Sequence, residues 1–122
     1  MSLNNNSEDL IILVQKLREL GREGSYWDFK KVYSSNKAEL LLDIICMANN
    51  QEDRDAYIIY GIEDYTMKVV GVEKDTHRLR LNQLSQFLSG KHFSVYVPEI
   101  DLHFIILEGD EVDVLSVLNR IY

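Results

Sequence analysis

Apolar residues in the first part of the chain recur at helical spacing. Leu10, Leu13, Val14, Leu17 and Leu20 share one face, and the pattern stops at Gly21. Ser7, followed by Glu8 and Asp9, supplies an N-cap with acids in the first turn, so a first amphipathic helix is predicted. The period then changes. Tyr26-Trp27-Asp28-Phe29-Lys30 alternates as a strand does, with Tyr26, Asp28 and Lys30 on one face and Trp27 and Phe29 on the other, toward the core. Asn36 is placed to cap a second helix, and its wide stripe of Leu40, Leu41, Ile44, Ile45 and Ala48 predicts deep burial. Residues 56–62 are apolar almost throughout, the mark of a strand covered on both faces and so of the sheet's centre. Glu63-Asp64-Tyr65-Thr66 interrupts the run and residues 67–72 resume it, which reads as a hairpin. Leu79, Leu81, Leu84, Phe87 and Leu88 predict a third helix closed by Gly90. Residues 100–107 and 112–117 flank Glu108-Gly109-Asp110-Glu111 as a second hairpin.

Helices interleaved with hairpins predict an α/β fold of mixed α+β type. Its sheet has about five strands, two hairpins plus one strand, and carries three helices. The 122 residues suffice for one core, so residues 1–122 read as a single domain. The apolar stretch at residues 115–122 has no closing cap, so the domain is expected to be the N-terminal part of a longer protein. No window approaches the roughly 18 consecutive apolar residues of a membrane span, and the first residues are polar, so the expectation is a cytoplasmic protein without a membrane partner. The single cysteine, Cys46, excludes an internal disulfide, and its apolar neighbours predict a buried, inert thiol. One Cys and three scattered His (His77, His92, His103) lack zinc-ligand spacing. Neither a Gly-x-Ser-x-Gly elbow nor a phosphate-binding P-loop is present, which removes support for acyl transfer and P-loop chemistry.

Charge changes the picture by its distribution. The net charge is −7, yet residues 99–113 hold six acids and no Lys or Arg, whereas residues 74–92 hold Lys74, Arg78, Arg80 and Lys91 against Asp75 alone. The acidic hairpin suits docking to a basic partner or self-association as a homo-oligomer; the basic segment suits phosphates. Three acids stand at element ends: Glu23 before the first strand, Asp28 within it and Asp64 after the central strand. If the two strands are neighbours, these carboxylates can converge at one rim, where like charges are tolerated chiefly when a divalent cation, Mg²⁺ or Mn²⁺, or a partner such as Lys30 offsets them. Such a centre would activate a water against a phosphodiester, with Lys30 stabilising the phosphate charge. The alternative is that Glu23 hydrates the surface, Asp28 pairs with Lys30, and Asp64 supplies turn hydrogen bonds. Tyr26, Trp27, Tyr33 and Tyr65 offer ring faces, of which Tyr65 in its turn is the best placed to meet a base, and Lys30, Lys31, Lys37 and Lys68 offer charge.

Four fragments in order carry a family likeness: residues 23–30 (EGSYWDFK), 43–49 (DIICMAN), 57–64 (YIIYGIED) and 69–72 (VVGV). Together they resemble the Schlafen Alba-like (AlbA_2) domain, over roughly residues 7–117. The resemblance implies nucleic-acid binding, described in bacterial relatives as a DNA-binding or regulatory module usually attached to other domains. In some members it implies metal-dependent cleavage of structured RNA by three acids, matched here by Glu23, Asp28 and Asp64. Asp28 stands where the family more often has Glu, which shortens the ligand by a methylene. Arg54-Asp55-Ala56 replaces a Gly-Gly pair, exchanging close backbone approach for the charge of Arg54.

Overall fold

The computed structural model of the protein describes residues 7–90 and 98–119. Among the described residues the order is α1 (Ser7–Glu19), β1 (Trp27–Lys30), α2 (Lys37–Ala48), β2 (Ala56–Tyr60), α3 (Leu81–Ser89), β3 (Glu99–Leu107) and β4 (Asp110–Leu118). The four strands form one mixed sheet in the order β1-β2-β4-β3. β1 and β2 run parallel, in register from Trp27 with Tyr57 to Lys30 with Tyr60, and α2 makes the crossover between them. The β2–β4 and β3–β4 pairs are antiparallel.

Alternation along the strands divides the core between two faces. Trp27, Phe29, Tyr57, Ile59, Val112 and Val114 point to one side, where α1 lays Leu10, Val14 and Leu17 on them. Ile58, Tyr60, Leu115 and Val117 point to the other, against Leu40 and Ile44 of α2 and Leu84 and Leu88 of α3. Helices on both faces explain why β2 is apolar throughout and buried at every position. At roughly 1.5–3 kcal/mol for each large apolar side chain taken out of water, this double-sided strand is a large hydrophobic contributor to the fold.

Local signals set the boundaries. Gly21, at φ +68, takes the left-handed position just past α1. The Asn36 side chain accepts from the Ala38 and Glu39 N–H groups, capping α2 as its sequence predicts. The β3–β4 connection is a two-residue turn with both residues at positive φ, Glu108 at +51 and Gly109 at +82, which suits the twist of a hairpin.

Three expectations are corrected. Residues 67–72 do not form a return strand, so the sheet has four strands rather than about five. β1 and β4 already occupy the two edges of β2, leaving that segment no ladder to join. It is held instead by the Gly61 carbonyl, which accepts from both Val70 and Gly71, and by one isolated bridge between Ile62 and Val69. The α2 helix is less enclosed than its stripe predicts: Leu40 and Ile44 are buried, but Leu42 is exposed, and Cys46 is an exposed thiol rather than a core residue. The third helix begins at Leu81, and Leu79 packs against the core from the segment before it. The expected contributions of Lys91, His92 and residues 120–122 lie outside the described residues. No described helix is long and apolar enough to cross a membrane.

Candidate functional site

An open cleft of about 650 Å³ lies at the C-terminal ends of the parallel strands β1 and β2, bordered by α2. Ligands of sheets with parallel strands commonly bind at this end, because the loops that follow the strands diverge there. Lys30, Lys31, Glu63 and Asp64 reach the cleft from those strand ends, Asp43 reaches it from α2, and Glu23 from the loop before β1.

The loop that delivers Glu23 depends on close packing. Trp27 donates from its indole Nε1 to the Arg22 carbonyl at 2.8 Å, and the Gly24 N–H donates to the Trp27 carbonyl at 3.1 Å. A Cβ on Gly24 would run into the indole ring, so the turn requires glycine there. With the loop folded back, the Glu23 carboxyl meets Asp28. Asp28 is only 8% exposed and points to the α2 side of the sheet. Its Oδ2 lies 3.1 Å from Lys30 Nζ, and that ammonium is 3.5 Å from Asp43 Oδ2. Burial alone would lower the Lys30 pKa, but Asp28 and Asp43 together outweigh it and raise it, so the ammonium stays charged. Burial pushes the Asp43 carboxyl up, against the pull of Lys30.

Asp28 Oδ1 is buried with no hydrogen-bond donor facing it. Two ionised carboxylates cannot hydrogen-bond each other, since each only accepts. The contact therefore favours the protonated form of Glu23. The Glu23 pKa is pushed up to about 8, first by its hydrogen bond with Asp28, then by burial and by the charges of Asp28 and Asp64, against the opposing pull of Lys30.

Of the expected acid trio, Glu23 and Asp28 are therefore brought into contact. Asp64 faces the same cleft, close enough for its charge to act on Glu23, while its Oδ1 accepts from the Tyr65 N–H at 2.9 Å. Among the described residues, no three His, Cys, Asp or Glu side chains come together closely enough to hold a metal ion. The all-oxygen donor set and the orphaned Asp28 oxygen suit a hard cation in type. In arrangement they do not form one closed site, because Lys30 already offsets the Asp28 charge at 3.1 Å and Asp64 is engaged by the Tyr65 N–H.

The basic residues named from the sequence are dispersed. Lys31 lies in the cleft, 3.5 Å from Glu63 Oε2. Lys68 is exposed on the turn beside Asp64. Arg54 stacks 3.9 Å over the Tyr26 ring at the opposite, N-terminal ends of β1 and β2. Lys37 sits 5.8 Å above the Phe87 ring, and Lys74 lines a separate hollow with Asp75 and Asp110. Arg80 precedes α3, where its N–H donates to Gln83 Oε1. Arg78 is committed inward: its guanidinium grips Asp113 at 2.8 and 3.0 Å and Glu111 at 2.9 Å. Tyr33 is buried too, stacked on Tyr60 at 3.9 Å with its hydroxyl donating to Asp113 Oδ2 at 2.7 Å, so its ring face is already covered. The cleft also includes residues the sequence did not single out for chemistry, namely Asp43, Ser34, Ser35 and His77. Asp43 carried a signal, an acid on the otherwise apolar side of a helix that crosses between parallel strands.

A small mixed sheet with helices on both faces and a charged cleft at its parallel strand ends defines the class, an α+β domain. The Schlafen, AlbA_2 family model matches residues 23–120, and the chain belongs to that family. No match was found among curated proteins.

Proposed function

We propose that the chain is a nucleic-acid-binding domain that takes a polynucleotide at the cleft between the ends of β1 and β2. Lys30, Lys31 and Lys68 lie along the backbone path. The observation that carries this reading is that Lys30 and Lys31 meet the acids at the parallel strand ends, with Lys68 exposed on the adjoining turn, in a chain of the Schlafen, AlbA_2 family. Glu23, Asp43, Glu63 and Asp64 outnumber the lysines of the cleft, so phosphates are held at a few points rather than by a broad basic face. A DNA-binding role in a bacterial regulator is the finer form of this reading.

Anisotropy titrations against labelled DNA and RNA at two salt concentrations test it. True phosphate contact weakens with salt, and absence of binding to either polymer at low salt rejects it. Alanine at Lys30 and Lys31 together is expected to weaken binding at least tenfold.

The second reading is a Mg²⁺- or Mn²⁺-dependent endonuclease acting on structured RNA or single strands. It is favoured by the buried, donorless Asp28 oxygen beside Glu23, with Asp64 across the same cleft. A divalent cation there would supply Lewis acidity and a water of lowered pKa. Incubating structured RNA and single-stranded DNA with Mn²⁺ tests this: loss of cleavage in both Asp28→Ala and Asp64→Ala supports it, and cleavage persisting in both variants assigns it to a contaminant.

A further inference from the structure

Tyr65 is 88% exposed, at the tip of the turn bordering the cleft. The turn beneath it is rigid. The Glu63 N–H donates to the Lys68 carbonyl at 2.8 Å and the Met67 N–H to the Glu63 carbonyl at 2.9 Å, closing the loop from both sides. The Lys68 N–H reaches Thr66 Oγ1, and the Met67 side chain is buried as a plug below. Arg18 of α1 donates to the Met67 carbonyl at 2.7 Å and is itself held by Glu108 at 2.7 Å.

The backbone that presents the ring is unusual. Tyr65 and Met67 both lie in the left-handed region, at φ +68 and +58, where non-glycine residues are disfavoured. Such conformations cost roughly 1–3 kcal/mol each and persist where the surroundings impose them, often at ligand clamps. Asp64, whose carboxylate holds the Tyr65 N–H, couples the ring's position to the cleft. The aromatic is thus preorganised outward, one residue from a cleft that holds Lys30 and Lys31 among a larger number of acids.

We infer that Tyr65 is a stacking platform for an unpaired base, so that the nucleic acid taken by the cleft is single-stranded or carries an unpaired loop. The inference rests on the nucleic-acid-binding reading and narrows its ligand. Within a duplex both faces of each base are covered by its neighbours, and a tyrosine on a rigid tip gains a ring face only where stacking is already broken. Every base presents such a face, so the contact tolerates any sequence. The cleft, at about 650 Å³, is of a size for one small-molecule-sized group, and a flipped or unstacked nucleotide is such a group. Lys68 on the same turn would hold the adjoining phosphate.

The test compares a fluorescein-labelled 12-mer of oligo(dT) or oligo(U) with a blunt 12-base-pair duplex, using wild type, Tyr65→Ala and Tyr65→Phe at low salt. Wild type is expected to prefer the single strands at least tenfold. Tyr65→Ala is expected to weaken single-strand binding about tenfold with duplex binding unchanged, and Tyr65→Phe to restore it. Exposure of the ring makes misfolding of the variants an easily excluded cause, by circular dichroism and melting temperature. Equal single-strand binding by wild type and Tyr65→Ala overturns the platform while leaving nucleic-acid binding in place, as does equal affinity for strand and duplex. Loss of self-association in Tyr65→Ala with unchanged nucleic-acid binding overturns it in favour of a protein contact. Wild type that binds none of the probes removes the broader reading and this one together.

Discussion

Glu23 and Asp28 show how far one contact can reset a residue's chemistry. Asp28 is buried and paired to Lys30, and the neighbouring Glu23 carboxyl is pushed up to about 8 by that contact first, then by burial and by the charges of Asp28 and Asp64. Because the folded pKa of Glu23 lies above its unfolded value of 4.5, the folded state binds the extra proton. The associated stability is fully present below about pH 4.5 and is lost as pH rises through about 8. Melting temperature is therefore expected to fall between pH 5 and pH 9, and Glu23→Gln, which keeps a neutral donor beside Asp28, is expected to flatten that fall. Identical pH profiles for the two proteins would sink the shared-proton account. The Asp28–Lys30 pair could be anticipated, since alternation puts residues two apart on one face. Its extension to Asp43 joins a strand to a helix, and no local period reports that.

At the level of elements, one buried carboxylate ties three segments together. Asp113 of β4 is 2% exposed and receives Arg78 from the segment before α3 and the Tyr33 hydroxyl from the loop before α2. The Tyr33 N–H in turn donates to Asp75 Oδ2 at 2.8 Å. Removing one partner of a buried charge leaves the other without compensation, a loss of about 3–5 kcal/mol when burial is complete. Arg78 retains some solvent contact, so Arg78→Ala is expected to destabilise by about 3 kcal/mol and Tyr33→Phe by about 1–2 kcal/mol, both read from urea unfolding midpoints. Near-zero effects of both would mean that the Asp113 side chain does not depend on these two partners. The sequence placed Arg78 in a basic segment suited to phosphates; the fold turns it inward, because its acidic partner sits on a strand 35 residues away.

Across the whole molecule, the acidic balance shapes how a polyanion can be held. With Lys30, Lys31 and Lys68 as contacts, single-strand affinity is expected to fall roughly twentyfold from 50 to 200 mM salt, the slope that about three neutralised phosphates imply. Glu63 competes for Lys31 at 3.5 Å. Glu63→Gln is therefore expected to tighten binding several-fold at 50 mM salt, with the gain fading at 200 mM as charge is screened. A variant that binds no better at low salt would place Lys31 outside the phosphate path.

Periodicity and local signals alone determined much of this protein: α1 and its end, the Asn36 cap, the inward Trp27 and Phe29, the all-buried β2 and the β3–β4 hairpin. Each follows from side-chain geometry within a few residues. Tertiary structure decided what those elements meet. Residues 67–72 read as a strand but find both edges of β2 taken, and Cys46 reads as core but lies on the solvent side of α2. The Glu23–Asp28 contact, the Lys30–Asp43 pair and the Arg78–Asp113 clamp all depend on chain crossings that bring distant segments side by side, and a local pattern of polar and apolar residues carries no information about such crossings.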